Sequence, residues 1–289
     1  MGHGTVNETT YSDGAGLTLK SSEFRLISQL ARVRFGLDLK GGKEALVTAR
    51  LGKWLRNGGF QSFDEYYRHI LADTTGDALV GLIDSLTTNH TSFLREKAHF
   101  EFLTRAAVEE FSDVGMLEIW SAACSSGEEP YTIAMCLSDT LAGAIRRDFH
   151  ILATDISTRV LGLAQRGVYQ AERFKDLPGP WRKAYLLRGD GECKGLFKFK
   201  PEIRGRISFE RLNLIQHFPQ RRLFHVIFCR NVMMYFDRGT QQDIVKRLSA
   251  CLAPGGYLLV GHSESLTGVQ HDLQYVRPAT YRKEYRGRS

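Results

Sequence analysis

The stretch "WSAACSSGEEPYTIAM", from Trp120 to Met135, decides how this chain folds. It begins as an apolar strand, turns through small residues and continues as a helix that Pro130 is well suited to start. Small side chains such as Ala123 allow a ligand to approach the backbone closely at the carboxyl end of a strand. The turn contains a single glycine, Gly127. We therefore expect a ligand-binding turn at one edge of an α/β sheet.

Two carboxylates, Glu128 and Glu129, follow this glycine and restrict the class of ligand. A dinucleotide site needs the spacing G-x-G-x-x-G, and a Walker loop needs G-K-[ST]; the turn has neither. The carboxylates would also repel a diphosphate. Two interpretations remain open. The carboxylates complement the helix dipole, worth about 0.3–1 kcal/mol each, or they face a cation such as S-adenosylmethionine, which has a sulfonium, an ammonium and no phosphate.

Outward from this turn, strands alternate with helices. The segments "MLEIWSAA", "FHILATD", "HVIFCRN" and "GGYLLVGH" predict buried parallel strands, and a closing "YVRPATYRKEY" follows. This alternation is typical of a Rossmann-like, doubly wound α/β sheet. Between about residues 182 and 212 the hydrophobic period changes to two around a Gly-Asp-Gly turn. That change predicts a small antiparallel β insertion.

The part of the chain before the sheet is predicted to be helical. Four amphipathic segments without strands favour a small all-α N-terminal domain. The first of these segments predicts one apolar stripe, made of Phe24, Ile27, Leu30 and Val33. The predicted organisation is a flexible lead-in over residues 1–16, the all-α domain over 17–85 and the α/β domain over 86–289.

Composition and charge limit the cellular compartments and the classes of partner that we expect for this protein. No apolar run approaches the length of a membrane span, and the N-terminus lacks the basic and apolar segments of a signal peptide. The five cysteines form no C-x-x-C pair, so we expect a reducing cytoplasm, no disulfide framework and no metal site. The net charge is +7, but the first 85 residues carry ten basic and ten acidic residues. Solvated surface is the simplest interpretation of the later basic residues, although the same field can also steer an acidic protein partner; we expect no nucleic acid and no membrane insertion.

Polar residues also follow the other predicted strands. Asp155 ends the second strand, where a carboxylate can accept hydrogen bonds from ribose hydroxyls or cap the next helix. Asn213 and Leu214 follow the strand "RISFE". An amide beside an apolar side chain can read an adenine edge and face, although an ordinary strand-end turn explains the pair as well.

Two further motifs group polar residues near the predicted crevice. "FCRNVMMYFD" follows a buried strand, and an Arg-Asn pair in that place is hard to explain by packing. "TTNHTSFLRE" lies at the domain junction, where Asn and Thr could equally cap helices. The candidate residues of the two motifs are Arg230, Asn231 and Tyr235, and Asn89, Thr91 and Arg95.

With "GGYLLVGHSESL", these motifs closely resemble the CheR family of bacterial chemotaxis receptor methyltransferases, over nearly the whole chain from about Leu17. The resemblance implies methyl esterification of chemoreceptor glutamates, with S-adenosylmethionine as cofactor and S-adenosylhomocysteine as product. It implies substrate-side catalytic roles for Arg95 and Tyr235. It makes Glu129 the expected ligand residue and leaves Glu128 only favouring the helix start. The cofactor-lining positions that it implies are Asn89, Thr91, Arg95, Ala123, Glu129, Asp155, Asn213, Leu214, Arg230 and Asn231.

The resemblance also implies two partner-binding surfaces. Arg50, Lys53 and Arg56 share one face of the second helix, and the family implies that this face meets the acidic methylation helices of a receptor. A solvated stripe is the simpler interpretation. The insertion around Gly189 and Gly191 resembles the subdomain by which some members hold a receptor's C-terminal peptide.

The chain departs from the family pattern at three small sites. Cys124 and Ser126 replace an alanine and a threonine that are more typical, and Leu94 replaces a common phenylalanine.

Two alternative functions keep the same fold, namely a methyltransferase for another signalling protein and a module that only senses S-adenosylmethionine. An NAD-dependent dehydrogenase fails because the turn lacks G-x-G-x-x-G.

Overall fold

The computed structural model describes residues 9–14, 16–39, 41–142, 148–216, 218 and 222–285. The chain forms two compact units. The first consists of Met1–Thr88 with Tyr235–Asp237, and the second of Asn89–Met234 with Arg238–Ser289. None of the described helices is both long and apolar enough to cross a membrane.

The first unit is a cluster of four helices, and a small β-hairpin precedes them in the sequence. Its core contains Ile27, Leu51, Leu55 and Phe63, all completely buried. Ser62 begins the third helix, because its Oγ accepts a hydrogen bond from the Glu65 amide at 3.1 Å. The elements are β1 (Thr10–Ser12), β2 (Thr18–Lys20), α1 (Ser21–Phe35), α2 (Glu44–Asn57), α3 (Phe63–Ala72) and α4 (Asp77–Leu86).

Two details of this unit differ from the sequence-based expectation. The lead-in expected over residues 1–16 contains β1, which pairs antiparallel with β2 next to the buried Leu19; residues 1–8 and Ala15 lie outside the described residues. Val33 is 68% exposed, so the predicted apolar stripe of α1 is wrong at its end. The buried stripe continues through Ala31 and Phe35, because a strict three-residue spacing drifts around a helix of 3.6 residues per turn.

The second unit is built on a seven-stranded sheet with the order β11-β12-β10-β9-β3-β4-β8. The five strands from β10 to β8 are parallel, and β12 pairs antiparallel with β10 and β11. The elements are α5 (Ala98–Glu109), β3 (Met116–Ala122), α6 (Glu128–Thr140), β4 (Asp148–Asp155), α7 (Thr158–Arg166), β5 (Val168–Gln170), α8 (Gly179–Tyr185), β6 (Leu186–Arg188), β7 (Leu196–Phe199), α9 (Pro201–Arg204), β8 (Ile207–Arg211), β9 (Phe224–Cys229), α10 (Arg238–Cys251), β10 (Leu252–Val260), β11 (Leu273–Arg277) and β12 (Thr280–Lys283).

The strand order confirms the predicted Rossmann-like, doubly wound sheet. From β3 the chain proceeds outward through β4 to β8, and it then returns to β9 on the other side of β3. The order therefore reverses between β3 and β9. In open α/β sheets, ligands bind outside the carboxyl ends of the strands at such a switch point. The fold places the ends of these two strands where a cofactor is expected.

The antiparallel insertion is confirmed, but its predicted bounds of about 182–212 are wrong. It is a three-stranded sheet with the order β5-β7-β6, so it begins at Val168 and ends at Phe199. The segment predicted as its last strand is β8, which pairs in parallel with β4 in the main sheet. Three-residue strands such as β5 are too short to show a period in the sequence.

The insertion is packed firmly onto the sheet domain. Phe199 of β7 is completely buried, and its ring stacks on the ring of Tyr131 in α6 with 4.0 Å between the centroids. The hydroxyl of Tyr131 donates a hydrogen bond to the carbonyl of Ala164 in α7, at 2.9 Å. This aromatic contact anchors the insertion beside the helix that follows the opening turn.

Candidate functional site

The turn after β3 has an unusual left-handed backbone. Ala123, Ser125 and Gly127 have φ angles of 68°, 50° and 98°. The amide of Ser125 donates a hydrogen bond to Asp155 Oδ2 at 2.9 Å, which ties the turn to the end of β4. A Cβ at Gly127 would lie 2.7 Å from the Cβ of Ala164, so the close approach of α7 requires glycine.

The carboxylate of Glu129 lies at the switch point between β3 and β9. Its Oε1 accepts a hydrogen bond from Ser121 Oγ at 2.7 Å, and its Oε2 accepts one from Arg230 Nη1 at 2.9 Å. The side chain is only 13% exposed. Burial raises the pKa of Glu129, although Arg230 opposes the shift. Glu129 is therefore part of a buried ion pair and does more than complement the helix dipole.

Glu128 is not a solvated dipole partner either, so the expectation that it only favours the helix start is wrong. Its side chain is 1% exposed, accepts a hydrogen bond from Ser126 Oγ at 2.7 Å and forms an ion pair with Arg173. Nη2 of Arg173 also donates to the carbonyl of Thr91 at 2.8 Å. Glu128 and Arg173 thus connect the start of α6 to the segment that precedes α5.

Arg230, just after β9, is the centre of the site. Besides Glu129, its guanidinium contacts Oε2 of Glu96 at 3.0 Å and donates to the carbonyl of Arg95 at 2.6 Å. Its side chain is 2% exposed. A buried guanidinium needs paired charges and hydrogen-bond acceptors, and here two carboxylates and a carbonyl supply them. Arg230 joins the opening turn to the motif "TTNHTSFLRE".

Asn231 forms the corner next to Arg230 and has a left-handed φ of 59°. Its Nδ2 donates to Glu96 Oε1 at 3.1 Å, and its amide donates to Glu264 Oε2 at 2.7 Å. Glu264 also accepts a hydrogen bond from the amide of Gly261 at 2.8 Å. Two carboxylates therefore fix the loop after β9 to the loop after β10. Burial raises the pKa of Glu264, and the backbone hydrogen bonds oppose that shift.

Asp155 is buried at the end of β4 and accepts backbone hydrogen bonds. Its Oδ2 is bound by the amide of Ser125 at 2.9 Å and its Oδ1 by the amide of Ser157 at 3.0 Å. The capping residue of α7 is Ser157, whose Oγ accepts a hydrogen bond from the Val160 amide at 3.3 Å. Asp155 therefore shapes the strand end instead of capping the helix.

The motif "TTNHTSFLRE" runs alongside this turn. The carbonyl of Asn89 accepts a hydrogen bond from Ser125 Oγ at 3.2 Å. Nη1 of Arg95 donates to the carbonyl of His90 at 2.8 Å, so its side chain folds back on its own motif. Leu94 has a left-handed φ of 57°, and α5 begins at Ala98, after the motif has ended.

Asn213 and Leu214 form an anchored turn after β8. Oδ1 of Asn213 accepts a hydrogen bond from the amide of Ile215 at 3.2 Å, and Leu214 is buried. Arg247 of α10 donates to the carbonyls of Leu214 and Ile215 at 2.8 and 2.9 Å. The turn interpretation is thus confirmed, and a role in reading adenine stays a prediction.

The chemistry of these groups suits S-adenosylmethionine. Glu129 and Asp155 follow neighbouring parallel strands, and the carboxyl ends of such strands share one edge of the sheet. One carboxylate suits an ammonium group and the other suits ribose hydroxyls. The turn between them lacks the glycine spacing that a diphosphate needs.

Comparisons with known proteins decide the family. The family described as the CheR methyltransferase SAM-binding domain matches residues 89–282, and the CheR methyltransferase all-alpha domain matches residues 22–87. The chain belongs to the CheR methyltransferase family. It is an S-adenosylmethionine-dependent methyltransferase.

Relatives and a solved structure extend this comparison. The chain is 37% identical to a chemotaxis protein methyltransferase of Borreliella burgdorferi, covering 92% of this chain and 96% of the relative. It is 40% identical to one of Escherichia coli, covering 88% of each. The N-methyltransferase NodS from Bradyrhizobium japonicum is similar at a TM-score of 0.39 and 15% identity, over 65% of this chain and 87% of NodS. The last similarity is too low to bear on function.

Four residues that contact the predicted site residues were not predicted from the sequence. Glu96 and Glu264 lie inside quoted motifs, but their charge alone does not distinguish them from surface carboxylates. Arg173 and Arg247 lie far along the chain from their partners, so no local pattern could find them. Only Glu96 could have been suspected from the sequence, because it directly follows the predicted site residue Arg95.

The remaining predicted site residue, Tyr235, belongs to the first unit. Its hydroxyl accepts a hydrogen bond from the amide of Thr88 at 3.1 Å. The predicted basic face of α2 lies in the same unit. There Arg50 donates to the carbonyl of Leu86 at 2.6 Å, Arg56 pairs with Asp13, and Lys53 is exposed.

Gly189 and Gly191 lie in the loop between β6 and β7. The amide of Gly189 donates to the carbonyl of Leu196 at 2.9 Å, which extends the pairing of the two strands, and Gly191 has a φ of 50°. The Gly-Asp-Gly turn predicted here is confirmed as a hairpin connection. Since the order is β5-β7-β6, β6 is an edge strand of the insertion.

Proposed function

We propose that this CheR methyltransferase forms methyl esters on glutamate side chains of chemoreceptor cytoplasmic domains. The supporting observation is the network around Arg230, which joins Glu129 of the opening turn to Arg95 and Glu96 of the second motif. The relatives are named chemotaxis protein methyltransferases, which supports a receptor as substrate. The proposal includes a cytoplasmic location, in keeping with five unpaired cysteines.

The proposed reaction needs no general base. A glutamate side chain has an ordinary pKa of about 4.3, so it is already a carboxylate near pH 7. Bound S-adenosylmethionine supplies the methyl group. The substrate oxygen attacks it in line, and the products are a neutral ester and a thioether. Because opposite charges disappear in this step, alignment and exclusion of water help more than proton transfer.

In this proposal the residues of the site divide into two groups. Glu129 and Asp155 bind the ammonium group and the ribose hydroxyls, while Arg95 and Tyr235 orient the substrate carboxylate or the reacting methyl. Arg95 cannot bind the carboxylate too tightly, since that would stabilise the ground state more than the transition state. The remaining proposed cofactor-lining residues are Asn89, Thr91, Ala123, Asn213, Leu214, Arg230 and Asn231.

The decisive experiment offers methyl-labelled S-adenosylmethionine to the full chain with receptor-containing membranes. Label should enter receptor protein and leave as methanol in mild alkali, because carboxyl esters hydrolyse there and methylated amines do not. Label that survives alkali would exclude glutamate esterification. Label that enters other proteins but not receptors would favour a different signalling substrate. Binding of S-adenosylmethionine without any transfer would favour a sensing module.

The roles of Arg95 and Tyr235 have their own test. Arg95→Ala and Tyr235→Phe should each lower kcat by about tenfold or more, while the affinity for S-adenosylmethionine changes less. Arg105→Ala is the matched control, because Arg105 is an exposed arginine of α5 that pairs with the exposed Glu109. Turnover within about twofold of wild type in both variants would remove these two residues from the mechanism.

We also propose that the basic face of α2 meets the acidic methylation helices of a receptor. Lys53 and Arg56 are both exposed, but Arg50 and Arg56 also have partners within the unit, so Lys53 is the residue chosen for the test. Lys53→Glu should raise the KM for receptor, and more so at low salt. Arg25→Glu, at an exposed position of α1, controls for the change in net charge. Equal effects of the two reversals would argue against a specific face.

The open edge of β6 is the proposed docking strand for a receptor C-terminal peptide. Tyr185 O and Gly189 N bond toward β7, so by alternation the backbone groups of Leu186 and Arg188 point outward. Arg188→Pro removes an outward N–H and should abolish peptide binding, whereas Arg188→Ala keeps it. Equal affinities of the two variants, or no binding to the wild type, would exclude this edge.

A further inference from the structure

Three side chains of types that can bind metal ions lie close together next to Arg230. Glu96 precedes α5, His99 lies in its first turn, and His262 follows β10. One ligand atom from each lies within 4.8 Å of the other two. Oε2 of Glu96 is 3.4 Å from Nδ1 of His99. Atoms that bind zinc tetrahedrally at about 2.0–2.1 Å lie about 3.3 Å apart, so this pair already has the spacing of two zinc ligands.

The imidazole of His99 is the most unusual member of this cluster. It is 1% exposed, and neither ring nitrogen has a hydrogen-bond partner among the described residues. Its ring lies edge-on to the ring of His262, with 4.7 Å between the centroids. Buried polar groups are nearly always hydrogen-bonded, because leaving one unpaired costs its desolvation free energy. A metal ion would satisfy a ring nitrogen that no described residue satisfies.

We propose that Glu96, His99 and His262 form a binding site for a zinc-type divalent cation. Two imidazoles and one carboxylate are the ligand set that zinc prefers when it keeps a fourth position open. Magnesium and calcium select sites built of oxygen atoms and do not suit two imidazoles. The exposed ring of His262 provides the entry for the ion from solvent.

The proposed ion competes with Arg230 for the same carboxylate oxygen. Oε2 of Glu96 lies 3.0 Å from Nη2 of Arg230 and accepts the His262 amide at 3.1 Å. A cation bound to Oε2 displaces Arg230 from Glu96, and Arg230 keeps its contacts with Glu129, the carbonyl of Arg95 and the ring of Phe100. Because Arg230 fixes Glu129, occupancy weakens S-adenosylmethionine binding, and by reciprocity the cofactor weakens metal binding.

Calorimetry of the full chain with zinc chloride alone tests the site. The wild type should bind one ion per chain, and His262→Ala and Glu96→Gln should each weaken that binding about tenfold or more. His271→Ala is the matched control, because His271 is a partly buried histidine of the same unit that lies against Tyr281. Cobalt(II) in place of zinc should give visible absorption bands in the wild type that His262→Ala loses. Equal zinc affinity in the wild type and His262→Ala would overturn the site.

A second titration tests the coupling and uses S-adenosylmethionine with and without saturating zinc. Zinc should weaken cofactor binding several-fold in the wild type and leave it unchanged in His262→Ala. Zinc that binds but leaves cofactor affinity unchanged in the wild type would overturn the competition for Glu96. Because both titrations measure binding only, failure of the proposed receptor reaction would not affect either result.

Discussion

Two adjacent carboxylates at the start of α6 serve different regions of the molecule. Glu129 faces the switch point of the sheet and pairs with Arg230 from the end of β9. Glu128 faces the insertion and pairs with Arg173, which follows β5. Successive residues of a helix point about 100° apart, so one helix start can hold two unrelated ion pairs. The difference shows that Glu129 lies at the switch point, where we propose that the cofactor binds, whereas Glu128 holds the segment before α5 through Arg173.

The largest effect is expected on the Glu129 side. Arg230→Ala leaves two largely buried carboxylates, Glu129 and Glu96, without their common partner. We expect the free energy of unfolding to fall by about 3–5 kcal/mol, measured by urea denaturation. Arg105→Ala removes an exposed ion pair of α5 and should change it by only about 0.5 kcal/mol. Similar losses in both variants would show that the Arg230 network is not a buried ion-pair network.

The next effect separates the two glutamates by cofactor affinity. Glu129→Gln removes a charge from the switch point and should raise the Kd for S-adenosylmethionine about tenfold or more, by calorimetry. Glu128→Gln is the isosteric control at the neighbouring position, and its Kd should stay within about threefold of wild type. If the two variants weaken binding equally, the division between the two regions breaks down.

A smaller effect measures the ion pair on the insertion side. A double-mutant cycle on Glu128→Gln and Arg173→Gln should give a coupling of about 1–2 kcal/mol in the free energy of unfolding. Glu128 is 1% exposed and Arg173 40%, so solvent screens the pair only in part. The exposed Asp64–Arg68 pair of α3 is the control and should give about 0.3–0.5 kcal/mol. Equal coupling energies for the two pairs would mean that burial of Glu128 does not strengthen its ion pair with Arg173.

The smallest effect is a pH dependence that distinguishes the two carboxylates on Arg230. Burial raises the pKa of Glu129, so on acidification from about pH 7 to about pH 5 it takes up a proton before an ordinary glutamate does. S-adenosylmethionine binding should weaken a few-fold over this range, and Glu129→Gln should lose that dependence. A pH dependence that Glu129→Gln retains would assign the titration to another group.

The same pKa directions give opposite signs for folding stability. The folded state takes up the Glu129 proton more readily than the unfolded state, so acidification does not destabilise the fold through this residue. The pKa of Glu96 is lowered in the folded state. Its contribution is present above the unfolded pKa and is lost as the pH falls through the folded pKa. As the pH falls, the difference in thermal midpoint between wild type and Glu96→Gln should therefore shrink, whereas wild type should gain stability relative to Glu129→Gln.

The sequence predicted most of the fold because its signals are local. The apolar strand within "HVIFCRN" and the small residues around Gly127 each determine the backbone within a few residues. The insertion was found by its change of period, but its bounds were wrong. Strand pairing between Val168 and Lys198 depends on residues far apart in the chain.

The sequence by itself determined that this protein has an α/β sheet with a turn unsuited to phosphate and polar residues at its strand ends. Only the tertiary structure decided which charges meet. It paired Arg230 with Glu129 and Glu96 and paired Arg173 with Glu128. It also buried His99 beside Glu96 with no hydrogen-bond partner among the described residues. The physical reason is that the residue type alone gives a side chain its charge. Its burial and its partners depend on the packing of strands and helices that are distant in sequence.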